Sequence, residues 1–263
     1  MCRLIFETVK WENGAPCLLP WHQRRVEAAI GVHGSDGASV PDLASVLSDC
    51  PGPEGRGVYK CHITYDTRGR VRRTSFEPYR PRQVKTLTCM EMPGLDYSCK
   101  WEDRTGLLAA GAALGCDEEA LILRNGMVTD TRYSNVVFGD GSSWVTPETF
   151  LLPGTKRAFL LSRGDIQECS VKAEDIGKFR FCSLINAMLD PGDVVVRTDE
   201  IPRVNHVLER LGYGSVQQGE NSKKKEPPSS RSSSAAEDRL KRSAEDADSR
   251  GERKTSVRAR LEL

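Results

Sequence analysis

Asn125-Gly126 is the strongest two-residue hairpin signal in the chain. Both residues tolerate the positive φ that a tight primed turn demands. Leu121-Ile122-Leu123-Arg124 precedes the pair and Met127-Val128 follows it. Paired strands in the second half of the chain are therefore expected. Similar punctuation organises the rest. Leu4, Phe6 and Thr8 alternate with Ile5, Glu7 and Val9 in a strand over 3–11, and Asn13-Gly14 marks a second hairpin. Pro20 opens a helix that Gly31 would close. A short helix follows Pro41, with Leu43, Val46 and Leu47 on one face. A β-rich run from Gly57 to Thr64 turns at Thr67-Arg68-Gly69 and returns over Val71–Phe76.

Pro78, Pro81 and Pro93 then interrupt regular structure, so 77–96 reads as a connection between domains. Beyond it a helix is predicted over Asp103–Leu114, with Asp103 and Gly115 as caps. Strands at Val136–Phe138 and Trp144-Val145 flank the turn Gly139-Asp140-Gly141-Ser142. A helix begins at Lys156, a late strand covers Val194–Val196, and a short helix covers Asn205–Leu211. The expected domains are a small N-terminal α/β domain over 1–95 and a larger one over 96–214.

From Ser215 the composition changes. The segment carries 12 Lys and Arg against 9 Asp and Glu, and apolar residues nearly vanish. Residues 215–263 are expected to form a disordered tail. The remainder holds 26 basic and 28 acidic residues, so the near-zero overall charge of +1 conceals two regions of opposite sign. That balance predicts neither a nucleic-acid partner nor a membrane one. No run of 18 apolar residues is present, and the acidic Glu7 argues against a secretory leader. The nine cysteines include no CxxC pair, and the four histidines are not spaced as zinc ligands beside them. Reduced thiols, no metal and a cytoplasmic location follow as expectations, with an organelle as the alternative.

Three segments carry residue types suited to pyridoxal phosphate (PLP) chemistry. Lys100 lies between Tyr97 and Trp101, whose apolar rings would lower a lysine pKa and favour its use as nucleophile and base. Asp130 sits in a strand, where a carboxylate needs solvent or a partner; Asn135 follows five residues on. Gly154-Thr155 opens the helix that continues through Lys156 and Arg157, and free N–H groups there suit an anion. Arg25, on the first helix, could reach the same anion.

Six segments together resemble the class IV aminotransferases, PLP enzymes that include branched-chain and D-amino-acid transaminases and 4-amino-4-deoxychorismate lyase. In order they are Phe6-Glu7-Thr8, His22-x-x-Arg25-Val26, Lys100-Trp101-Glu102-Asp103-Arg104, Gly126-x-Val128-x-Asp130-x4-Asn135-x2-Phe138, Leu152-Pro153-Gly154-Thr155-Lys156-Arg157, and Ile185-Asn186-Ala187-Met188. The resemblance covers roughly 4–195 and implies a mixed α/β, two-domain fold like that of the D-amino-acid aminotransferases. It also implies PLP between the domains and a homodimer whose partner chain reaches each site. Lys100 would form the Schiff base with PLP, and Asp130 and Asn135 would serve its ring. Arg25, Gly154, Thr155 and Lys156 would serve its phosphate. Two departures stand out: Asp130 replaces the family's glutamate, and Lys156 replaces the threonine of the phosphate turn, with Thr155 one position earlier.

The short folded part, Asp103-Arg104 and Asn186-Ala187-Met188 are similar to the lyase branch. The expected activity is conversion of 4-amino-4-deoxychorismate to 4-aminobenzoate and pyruvate, a step of folate biosynthesis. Lys60, Arg80, Arg82 and Asn186 are candidate substrate contacts, with His62 beside them. A transaminase acting on a branched-chain or D-amino acid with a keto acid acceptor is the alternative. A non-catalytic binding module is the third reading.

Overall fold

A computed structural model of the chain describes residues 3–201. The tail expected over 215–263 and the helix expected over 205–211 lie outside the described residues. In chain order the elements are β1 (Leu4–Glu12), β2 (Ala15–Pro16), α1 (Leu19–His33), α2 (Leu43–Asp49), β3 (Val58–Asp66), β4 (Val71–Pro78), β5 (Thr86–Glu91) and α3 (Thr105–Ala109). They continue with β6 (Glu118–Arg124), β7 (Met127–Thr131), β8 (Asn135–Gly139), β9 (Trp144–Pro147), α4 (Thr155–Arg163), β10 (Gln167–Cys169), β11 (Phe181–Ile185) and β12 (Val195–Arg197). Among the described residues no helix is long and apolar enough to cross a membrane.

The strands form three sheets, in the orders β2-β1-β3-β4, β5-β6-β7 and β10-β9-β8-β11-β12. The first is antiparallel throughout. The other two each hold one parallel pair, β5 with β6 and β9 with β10. The architecture is the mixed α/β type that the resemblance implies. The Asn125-Gly126 turn closes β6 on β7, with φ of 53° and 73°. Asn13 and Gly14 make the corresponding turn between β1 and β2, at 51° and 82°.

Side-chain alternation assigns each strand face. On β1, Ile5, Val9 and Trp11 pack with Val26 and Ile30 of α1 and Leu43 of α2 in one core. Phe6 and Thr8 point the other way, toward a cavity. β6 is apolar on both faces: Ala120 and Ile122 join the first core, while Leu121 and Leu123 join a second with Val136, Phe138 and Cys182. A strand buried on both sides reads as an unbroken apolar run, as Leu121-Ile122-Leu123 does.

Several sequence expectations are revised. The first helix runs through Gly31 and ends at Gly34, whose N–H donates to the Ile30 carbonyl at 2.8 Å. Gly31 has open space around its Cα, so nothing there forces a stop. The predicted helix over 103–114 is α-helical only over Thr105–Ala109; turns carry the chain to Leu114. The presumed connection 77–96 contains β5. Its Leu87 and Cys89 fill the second core, and its prolines flank the strand rather than occupy it. β10 and β11 were not anticipated. β11 is covered by β8 and β12 and shows no polar alternation to mark it.

Candidate functional site

A cavity of about 500 Å³ opens on the face of the first sheet that carries Phe6, Thr8, Lys60 and His62. Its remaining wall comes from α1, the 79–84 segment, the 97–107 segment, the start of β6, the β7–β8 turn, the start of α4 and the turn after β11. Its size suits a cofactor with a small substrate.

Lys100 is held by backbone pairing to β1. Phe6 N–H donates to the Lys100 carbonyl at 3.0 Å, and Glu102 N–H donates to Leu4 at 2.9 Å. This short pairing leaves the Lys100 ammonium 4.5 Å from the Phe6 ring centre, inside the cavity. Burial and then the Arg25 charge push the amine down to about 7, against the opposing pull of Glu7. A lysine in that range is neutral often enough near pH 7 to act as nucleophile or base.

Asp130 and Asn135 meet because the chain between them turns on Thr131. The Thr131 hydroxyl accepts from Ser134 N–H at 3.0 Å, and Thr131 N–H donates to the Ser134 carbonyl at 2.8 Å. Asn135 Nδ2 then donates to Asp130 Oδ1 at 2.7 Å and to the Leu152 carbonyl at 3.0 Å. Asp130 Oδ2 accepts from Leu151 and Leu152 N–H at 3.0 and 2.9 Å. Burial raises the carboxyl to about 6 despite these three donors. A cationic partner in the cavity would offset that cost.

The Gly154-Thr155 turn is built against the same asparagine. Gly154 is the N-cap of α4 and supplies no side chain to cap the first N–H groups. A Cβ on Gly154 would fall 1.8 Å from Asn135 Oδ1. Its φ of −70° is open to any residue, so the requirement is close approach alone. Gly154→Ala is expected to destabilise the fold by about 1–3 kcal/mol through overpacking and to weaken anion binding at α4. Chemical denaturation and phosphate titration would measure both effects. An unchanged midpoint and affinity would show that Asn135 moves aside freely.

Arg25 approaches the same end of the cavity but is already engaged. Its Nε and Nη2 donate to the two Glu7 oxygens at 2.9 and 2.5 Å, and Nη1 donates to the Pro153 carbonyl at 3.4 Å. His22 Nδ1 shares Glu7 Oε2 at 2.6 Å. Burial would raise Glu7, but the charges of Arg25 and His22 and their hydrogen bonds hold it at about 2. His22 is lowered by burial against the pull of Glu7. Glu7 thus orients Arg25 and neutralises part of its charge. The strand pattern carries the signal for this pairing: Glu7 shares its strand face with Ile5 and Val9, and an acid on an apolar face needs a cation.

Of the other sequence candidates, Lys60, Arg80, Arg82 and Asn186 all line the cavity. Lys60 pairs with Glu77 at 2.9 Å and Arg82 with the buried Glu119 at 3.1 Å. Asn186 Nδ2 donates to Ser134 Oγ at 2.9 Å, and its Oδ1 accepts from Met188 N–H at 2.8 Å, so the residue chiefly braces its own turn. Lys156 does not line the cavity. Its side chain is buried and its ammonium donates to Asp190 at 2.5 Å, so what it can offer an anion is its backbone N–H. Arg104, Arg132 and Glu119 also line the cavity; the sequence named only Arg104 among them, within the family-like Lys100 segment, and none as a contact.

The donors fit a phosphorylated pyridine aldehyde. Uncapped N–H groups and Arg25 lie at one end, a buried carboxylate raised by desolvation lines the same cavity, and a lysine near neutrality stands in the same space. The fold and this site define a class of enzyme, and comparison with known proteins agrees. The class IV amino-transferase profile matches residues 4–194. The chain belongs to the class IV aminotransferases, a family of PLP-dependent enzymes. An uncharacterised protein of Haemophilus influenzae is 32% identical over 185 residues, covering 70% of this chain and 97% of that one. A solved structure from Haemophilus somnus, named provisionally as a 4-amino-4-deoxychorismate lyase, is 30% identical with a TM-score of 0.65, covering 71% of this chain and 96% of that one. A Mesorhizobium loti structure, named provisionally as an amino-acid aminotransferase, superposes with a TM-score of 0.63 at 21% identity, covering 76% and 99%.

Proposed function

We propose that the chain binds PLP and acts as a 4-amino-4-deoxychorismate lyase, releasing 4-aminobenzoate and pyruvate. The observation that carries the PLP reading is one cavity holding a lysine amine lowered to about 7 and a carboxyl raised to about 6. Paired shifts of this kind mark acid–base sites. Arg25 and the Gly154-Thr155 N–H groups would hold the phosphate, and Asp130, braced by Asn135, would hold the protonated ring nitrogen. Lys100 would carry the covalent attachment. When bound, PLP supplies an electron sink for the carbon next to the amine.

The protein's own part is to position and move protons. Neutral Lys100 Nζ takes the proton from the substrate carbon and returns it to the product. Asp130 stays ionised against the ring nitrogen. Burial of Asp130 keeps competing water away from its carboxylate. Aromatisation of the ring drives release of the three-carbon unit. The lyase reading draws support from the Haemophilus somnus relative and from Asp103-Arg104 and Asn186-Ala187-Met188. It carries a homodimer and a cytoplasmic location with it.

Incubating the PLP-loaded protein with 4-amino-4-deoxychorismate should yield 4-aminobenzoate and pyruvate in equal amounts without a keto acid. Amino transfer that requires a keto acid, with no 4-aminobenzoate formed, would replace the lyase by a transaminase. A protein that retains no PLP after borohydride treatment would sink the enzyme reading altogether.

A further inference from the structure

We infer that Arg104 is a carboxylate-binding residue of the cavity, set beside Lys100 to hold an acidic group of the amine-bearing substrate. The inference rests on the proposed reading in taking this cavity as the substrate site. Six basic side chains line it besides Lys100: Arg25, Lys60, Arg80, Arg82, Arg104 and Arg132. Four of them are already paired. Arg25 pairs with Glu7 and is assigned to the phosphate, Lys60 pairs with Glu77, and both Arg82 and Arg132 pair with Glu119. Among the described residues Arg80 and Arg104 have no carboxylate in ion-pair range. Arg80 is exposed, whereas Arg104 is half-buried.

Arg104 is also left incomplete. Its Nη2 donates to the Arg132 carbonyl and its guanidinium lies 4.5 Å from the centre of the Tyr133 ring. Its Nε, however, is closed to solvent and has no acceptor. An arginine cannot shed its charge, and a buried charged donor without an acceptor is costly. A carboxylate entering the cavity can meet the guanidinium N–H groups that line it and gain a charge-assisted hydrogen bond. The carboxylates that line the cavity are otherwise engaged: Glu102 faces His62 at 3.4 Å, Glu119 serves two arginines, and Asp130 accepts from Asn135 and two backbone N–H groups. Asp103 sets the local geometry, its Oδ1 accepting from Thr105 N–H at 3.0 Å and from the Thr105 hydroxyl at 2.8 Å. That turn places Arg104 four residues from Lys100 on the same wall.

The test compares 4-aminobenzoate with 4-aminobenzamide, which share the ring and amine and differ in charge. Calorimetric titration of the PLP-loaded protein should show the acid bound tighter by roughly tenfold or more. Arg104→Gln and Arg104→Met should bring that ratio close to one and leave amide binding and borohydride retention of PLP unchanged. Arg104→Lys should keep part of the preference. Native protein without a preference for the acid overturns the inference. So does a variant that keeps the full preference, or one that loses both ligands alike, which would make Arg104 a structural strut. Failure of the lyase reading is seen separately, as absence of 4-aminobenzoate from the natural substrate.

Discussion

Lys100→Met should abolish covalent retention of PLP after borohydride treatment and lower turnover by roughly 10³-fold or more, because one group supplies both attachment and proton transfer. Methionine keeps most of the side-chain length and removes the charge. The same variant should make the cofactor-free protein more stable at neutral pH. In the folded chain the Lys100 amine lies near 7, and in the unfolded chain it returns to its ordinary value of 10.5. A group lowered in this way stabilises the fold fully above the unfolded value, and that stability is lost as pH falls toward the folded one. Native stability attributable to Lys100 should therefore rise with pH between about 7 and 10.5. The gap between Lys100→Met and the native chain should narrow over the same window. Melting temperatures of both proteins across that range would measure it. A constant gap would mean that the amine is not held near neutrality, and covalent PLP in the variant would move the attachment to another lysine.

How far the site is legible in the sequence depends on the range of each interaction. Lys100, Asp130 and the Gly154 turn lie in short contiguous segments whose order carries the family resemblance. Asp130 and Asn135 are five residues apart and meet through a single Thr131 turn, so local reading reaches them. The partners of the charges are different. Arg25 meets Glu7 only because α1 packs on β1, and Arg82 meets Glu119 only because β5 pairs with β6. Lys60 and Arg82 therefore looked free in sequence and are paired in the fold, while Arg104, named in sequence only as part of the family-like Lys100 segment, has no carboxylate in ion-pair range among the described residues. β5 was obscured in the same way. Prolines on both sides suggested a connection, but parallel pairing to β6 requires no local turn signal. Lys156 shows the limit of motif matching: it occupies the family's threonine position, yet its amine is drawn to Asp190 across the chain.

Asp130→Asn should lower turnover by roughly 10²-fold or more, while Asp130→Glu should retain much of it. Asparagine nearly matches aspartate in size but cannot offset a protonated ring nitrogen. It also turns one acceptor into a donor, and that NH₂ must face either Asn135 Nδ2 or the N–H groups of Leu151 and Leu152. Glutamate restores the residue of the family pattern and its charge, at the cost of one extra methylene in a filled site. Stability should reveal the charge independently of turnover. The Asp130 carboxyl is raised by burial to about 6 from an ordinary 3.8. A group raised in this way stabilises the fold fully below its unfolded value, and that stability fades as pH rises through the folded one. The cofactor-free native protein should thus lose stability between about pH 4 and 6 in a manner absent from Asp130→Asn. Added PLP would bring a cationic ring against the carboxylate, so its stabilising effect should be larger for the native chain than for Asp130→Asn, and most of all above pH 6. Equal PLP-induced shifts in melting temperature for the two proteins at every pH would remove Asp130 from the cofactor site.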